Sequence, residues 1–186
     1  MDTVAGRAAL RVFTRLITRD NYRDMGFESI AEIRSATLGA QLPEYMIQLD
    51  ELQHFQAGQA PESLLHSTGR VTWLVLVSGR TRSSMTLSRG SRGWGAVGYG
   101  APHHARIVDS VLALLASRPG GGGQYREVLV PALNTTFLGS VQAGQLFLTP
   151  VLSDQRFKFQ SGSTLPAAQA LLLMVPAAQA HKDVPS

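Results

Sequence analysis

Cysteine is absent from this 186-residue chain, which removes thiol catalysis, thiolate metal sites and disulfide scaffolds together. Lysine is nearly absent: only Lys158 and Lys182 stand beside fifteen arginines, a bias that points to a GC-rich bacterial genome. No run approaches the roughly 18 apolar residues that a membrane-spanning helix needs, so no membrane span is expected. The opening MDTVAGRAALRVFTRLITRD lacks the uninterrupted apolar centre of a signal peptide, and with the cysteine count this gives a cytoplasmic expectation. Also missing are G-x-S-x-G, H-E-x-x-H, an EF-hand loop and any paired carboxylates at catalytic spacing. No cofactor and no metal site is implied.

Acid is missing from one long window. Between Glu62 and Asp109 the only ionised side chains are Arg70, Arg80, Arg82, Arg89, Arg92 and Arg106. The formal net charge is +4, and this window's +6 exceeds it, against −3 before it and +1 after it. A local field of one sign attracts an anionic or electron-rich partner. A sequence pI of about 10.0 is mild beside that of dedicated nucleic-acid binders, which also interleave basic clusters with aromatics. Nucleic acid is therefore not the favoured partner.

What is present reads as one globular domain over residues 1–186, long enough to bury a core without staples. Residues 5–19 have helical periodicity: Ala9, Leu10, Phe13, Leu16 and Ile17 on one face, with Arg7, Arg11, Arg15 and Arg19 opposite. The arginine stripe reads as a solvated outer face, or as an anion-binding or membrane-surface face. ESIAEIRSATL, residues 28–38, predicts a short helix stopped by Gly39. Tyr45, Ile47 and Leu49 alternate as a strand would, although Leu49, Leu52 and Phe55 also suit a helix.

Val71–Val77 is apolar on both faces, the pattern of a central strand. In the next strand Met85 and Leu87 alternate with Arg82, Ser84, Thr86 and Ser88. Trp94–Tyr99 returns as a glycine-rich strand, and Pro102–Ser117 predicts a helix whose proline suits its first turn. Residues 119–123 form a glycine-rich connection, strands follow near 127–130, 136–138, 145–149 and 156–159, and a last helix starts near Pro166. Pro176 should kink or end it, and residues 181–186 read as a loose tail. The expected class is α+β: about six antiparallel strands, with N-terminal, central and C-terminal helices packed on one face.

Two motifs dissolve on inspection. Gly93-Trp94-Gly95-Ala96-Val97-Gly98 matches G-x-G-x-x-G, but its glycines sit inside a strand instead of forming the strand-to-helix turn that binds pyrophosphate. His103 and His104 are adjacent, about 100° apart on a helix, and cannot chelate one metal as an i, i+4 pair does.

The leading expectation is a non-catalytic module that holds a peptide or protein segment on a basic sheet face or edge. Its candidate residues are Arg80, Arg82, Ser84, Thr86, Ser88, Arg89 and Arg92 on or beside one strand, with Trp94, Tyr99 and His103 next to them. One alternative is an acid/base enzyme using His104 or His103, with Ser84 or Tyr99 nearby. Another is a binder of nucleic acid or another anionic partner. Self-association through an open strand edge is a further expectation.

Overall fold

A computed structural model describes residues 3–91, 93–118 and 123–181. Arg92, most of the glycine-rich connection 119–123 and all of the tail beyond His181 lie outside the described residues.

The architecture is α+β, with eight strands hydrogen-bonded in the order β4-β3-β2-β1-β5-β6-β7-β8. They are β1 (Thr37–Met46), β2 (His66–Val77), β3 (Arg80–Gly90), β4 (Gly93–Gly100), β5 (Tyr125–Val130), β6 (Thr135–Gln142), β7 (Gln145–Pro150) and β8 (Leu165–Pro166). The helices are α1 (Thr3–Leu16), α2 (Leu49–Gln53), α3 (Pro102–Ala116) and α4 (Ala167–Ala180).

The sheet is larger than expected and mixed, because β1 and β5 run parallel, with Glu44 opposite Glu127 and Tyr45 opposite Val128. Parallel neighbours need a long crossover. Residues 71–99 have no room for one, but almost eighty residues separate β1 from β5. Two compact units result, one from Met1–Pro43 with Gly69–Leu112 and one from Glu44–Thr68 with Ala113–Ser186.

In the first unit β2, β3 and β4 form an antiparallel meander. α1 buries Gly6, Ala9 and Phe13 in a core that includes Trp73, Val75, Met85 and Leu87. Gly6 lets the helix approach closely, since a Cβ there would lie 3.2 Å from the Trp73 ring. The helix stops earlier than its periodicity, because Asn21 folds back on its end. Asn21 Nδ2 donates to the Leu16 carbonyl at 3.1 Å, while its Oδ1 accepts from the Thr18 amide at 2.7 Å. The helix expected at 28–38 is only a 3-10 turn over Ile30–Ser35, and Gly39 sits inside β1 instead of stopping a helix. A Cβ at Gly39 would come within 2.9 Å of Leu76 Cγ, so glycine there serves close strand packing.

In the second unit Phe137, Leu146, Leu148 and Val128 from the strands pack with Leu52 of α2 and with Ala170, Leu171 and Met174 of α4. α4 runs through Pro176 without ending, and its buried residues continue past the proline to Ala178. Packing on both sides of Pro176 outweighs the lost hydrogen bond. The strand expected at 156–159 is a turn with one bridge, Asp154 to Phe159. Lys158 takes φ 58 there, and Phe157 and Phe159 are both buried. α1 packs into the first of these cores and α4 into the second, while α3 buries Ala105, Val108, Val111 and Leu115.

Candidate functional site

The described members of the predicted binding set lie in the first unit, but β3 does not present them as one face. A bulge opposite Val75 and Leu76 aligns these with Ser83 and Thr81, leaving Arg82 as the extra residue. Arg82 turns toward the 3-10 turn and its approach, where it meets Glu28 Oε1 at 2.5 Å and Glu32 Oε1 at 3.0 Å. Burial lowers its guanidinium pKa, but the Glu28 hydrogen bond and the charges of Glu32 and Glu28 outweigh this and raise it. Its Nε and the Thr81 hydroxyl are buried with no protein partner among the described residues.

Beyond the bulge, strict alternation divides the rest. Ser84, Thr86 and Ser88 lie on one face. The Ser84 hydroxyl is buried and donates to the Gly100 carbonyl at 2.6 Å, and Thr86 Oγ1 shares a 3.2 Å hydrogen bond with Thr72 Oγ1. The face of Met85 and Leu87 also takes Arg89, which is exposed and opposite Trp94 in the ladder. Trp94 and Tyr99 pack against the core on that side. Tyr99 stacks on Phe13 with ring centroids 5.1 Å apart, and burial pushes its phenol above the ordinary tyrosine pKa. Arg80 is exposed at the start of β3, outside the stretch that pairs with β4. In the first turn of α3, His103 is exposed and His104 half-buried.

β4 brings the two faces together. It ends the strand order, and Gly93, Gly95, Ala96 and Val97 are exposed along it. The glycines of the G-x-G-x-x-G match therefore leave backbone accessible on an edge strand. A second bulge makes Val97 the extra residue, unpaired between Ala96 and Gly98 and exposed. At the hairpin end an open recess of about 390 Å³ is lined by Ser88, Gly90, Ser91 and residues 93–97.

Three features of this region had no signal in the sequence. The acids that neutralise Arg82 come from about fifty positions away, so an acid-free stretch of sequence is not an acid-free region of space. The bulge that reorients Arg82 and the exposure of Val97 had no local signal. Among the described residues, no three or more His, Asp or Glu side chains form a group suited to a metal ion. No helix among them is long and apolar enough to cross a membrane.

Comparison with protein-family models, with curated proteins and with solved structures gives no match.

Proposed function

We propose that this protein is a non-catalytic binding module that takes an extended peptide or protein segment along the outer edge of β4. The observation that carries this reading is the edge itself: terminal in the sheet, glycine-rich, exposed, and flanked by Arg89, Trp94 and the recess at Ser88. A segment added as a ninth strand makes main-chain hydrogen bonds and sends alternate side chains to opposite faces. One set meets Arg89 on the Trp94 face, the other meets Ser88 on the opposite face, and the recess lies at the hairpin end. A segment laid flat across one face would reach only half of these groups, which is why the edge is favoured over the face. Arg89 selects a segment with an acidic side chain on its own side. Arg82 has little part in this, since Glu28 and Glu32 already engage it.

The acid/base alternative keeps His104 but loses Ser84 as a nucleophile, because that hydroxyl is buried and committed to Gly100. The test is capture of partners from the native host's lysate after nuclease treatment. Each retained species is then titrated against Arg89→Glu, Gly95→Pro and Ala96→Pro variants. Neighbouring amides alternate in direction along an edge, so one proline removes an outward donor and should abolish binding. Affinity unchanged in all three variants would place the site elsewhere. Capture of nuclease-sensitive material alone would favour the nucleic-acid reading.

A further inference from the structure

α1 carries a second surface that the β4 edge does not explain. Its inner side is fixed by Gly6, Ala9 and Phe13. Its outer side is not the purely charged face that a helix packed on a sheet normally shows to water. Val4, Val12 and Leu16 are 71%, 48% and 49% exposed, and with exposed Ala8 they repeat every four residues as one row. Beside it, one position earlier in each turn, runs Arg7, Arg11 and Arg15, continued by Arg19 just past the helix end.

None of these four arginines has an acidic partner among the described residues, and no acid occurs from Thr3 to Arg19. Along the flank of the arginine row away from the apolar row lies a recess of about 300 Å³. Leu10, Ile33 and Ala36 give it apolar lining, and Arg11 and Arg34 give it charge.

From this juxtaposition we infer that α1 docks on an anionic lipid surface, with the Val4–Leu16 row entering the headgroup–acyl boundary and the arginines contacting lipid phosphates. The row extends about 18 Å along the helix at 1.5 Å per residue and winds about 40° round the axis at each step, an elongated apolar strip suited to contact with an extended surface. A partner helix would instead need a groove to receive its anchors. Here the apolar side chains themselves project outward, and the recess beside the arginine row is lined by two arginines suited to a phosphate group.

The experiment is co-sedimentation of the full chain with vesicles of phosphatidylcholine alone and of phosphatidylcholine mixed equally with phosphatidylglycerol. Binding is expected only to the mixed vesicles. Each arginine near such a surface is worth roughly fivefold in partitioning, so Arg7→Gln/Arg11→Gln/Arg15→Gln should lower it by about 100-fold. Val12→Ser/Leu16→Ser should lower it several-fold with all arginines retained. Thermal unfolding of each variant should match the parent, since every altered side chain is exposed. The inference is overturned if mixed vesicles fail to bind the parent, if the triple arginine variant binds as well as the parent, or if the apolar variant partitions undiminished. A parent that self-associates in sedimentation velocity and becomes monomeric with Leu16→Ser would also overturn it, assigning the row to contact between copies.

Discussion

Arg82 offers a direct test of whether distance or shelter sets the strength of an ion pair in this fold. Its side chain is 12% exposed and contacts two carboxylates. The Glu28 contact is shorter, 2.5 Å against 3.0 Å, but the Glu28 side chain is 68% exposed whereas that of Glu32 is 19% exposed. Exposed pairs contribute about 0.2–1 kcal/mol, because water and salt screen them and both side chains lose rotamer freedom. Hydrogen bonds to sheltered charged groups contribute about 1.5–3 kcal/mol. Glu32 also accepts the Glu28 amide through its other oxygen at 2.8 Å, which holds its carboxylate in place. The expectation is therefore that the longer contact is the stronger one. Chemical denaturation of Arg82→Gln, Glu28→Gln, Glu32→Gln and the two double variants gives both coupling energies. Coupling of about 1.5–3 kcal/mol to Glu32 and under about 1 kcal/mol to Glu28 is expected. An Arg82–Glu28 coupling equal to or above that of Arg82–Glu32 would refute the reasoning.

Three further outcomes are expected. Gly26 has φ +93, and a Cβ there would fall 1.9 Å from the Arg82 carbonyl oxygen, so Gly26→Ala should cost at least about 3 kcal/mol in urea unfolding. Tyr99 should ionise above the ordinary tyrosine range in an ultraviolet titration, and Tyr99→Phe should remove that step. Because burial raises its folded pKa, its contribution to stability is full below the ordinary tyrosine range and fades as pH rises through the folded value. Asp154 is held below the ordinary carboxylate range, first by its side-chain hydrogen bond from Arg156 and then, against some desolvation, by the Arg156 amide and charge. Its stabilisation is therefore present above about pH 4 and lost as pH falls through the lower folded pKa, so Asp154→Asn should flatten the acid limb of thermal stability.

Elements with locally complete signals were legible in the sequence. The doubly apolar run of β2, the alternation at Met85 and Leu87, and the proline-led start of α3 each follow from a short stretch. β1 was largely illegible, since TLGAQLPEYM contains a glycine, a proline and an acid that count against a strand. Its pairing with β5 depends on residues more than eighty positions away. Glu44 and Glu127 are both buried and face each other in that ladder, a placement that no local pattern announces. At Phe157 and Phe159 the alternation was real, but a left-handed Lys158 delivers both rings to the core from a turn. At the candidate site, composition located the basic stretch, while the bulges and distant acids decided which arginines remain available.

The two-part origin of each unit bears on how the chain is made. The segment Glu44–Thr68 brings Ile47, Leu52, Phe55 and Leu64 out of the ribosome well before β5, β6 and α4, against which they are buried. Leu52 precedes Phe137 by 85 residues, which at about 5–20 residues per second is a wait of roughly 4–17 s. During that interval the nascent chain carries an apolar stretch with no strands to receive it. A chaperone acting on the growing chain would find this segment a target throughout that wait.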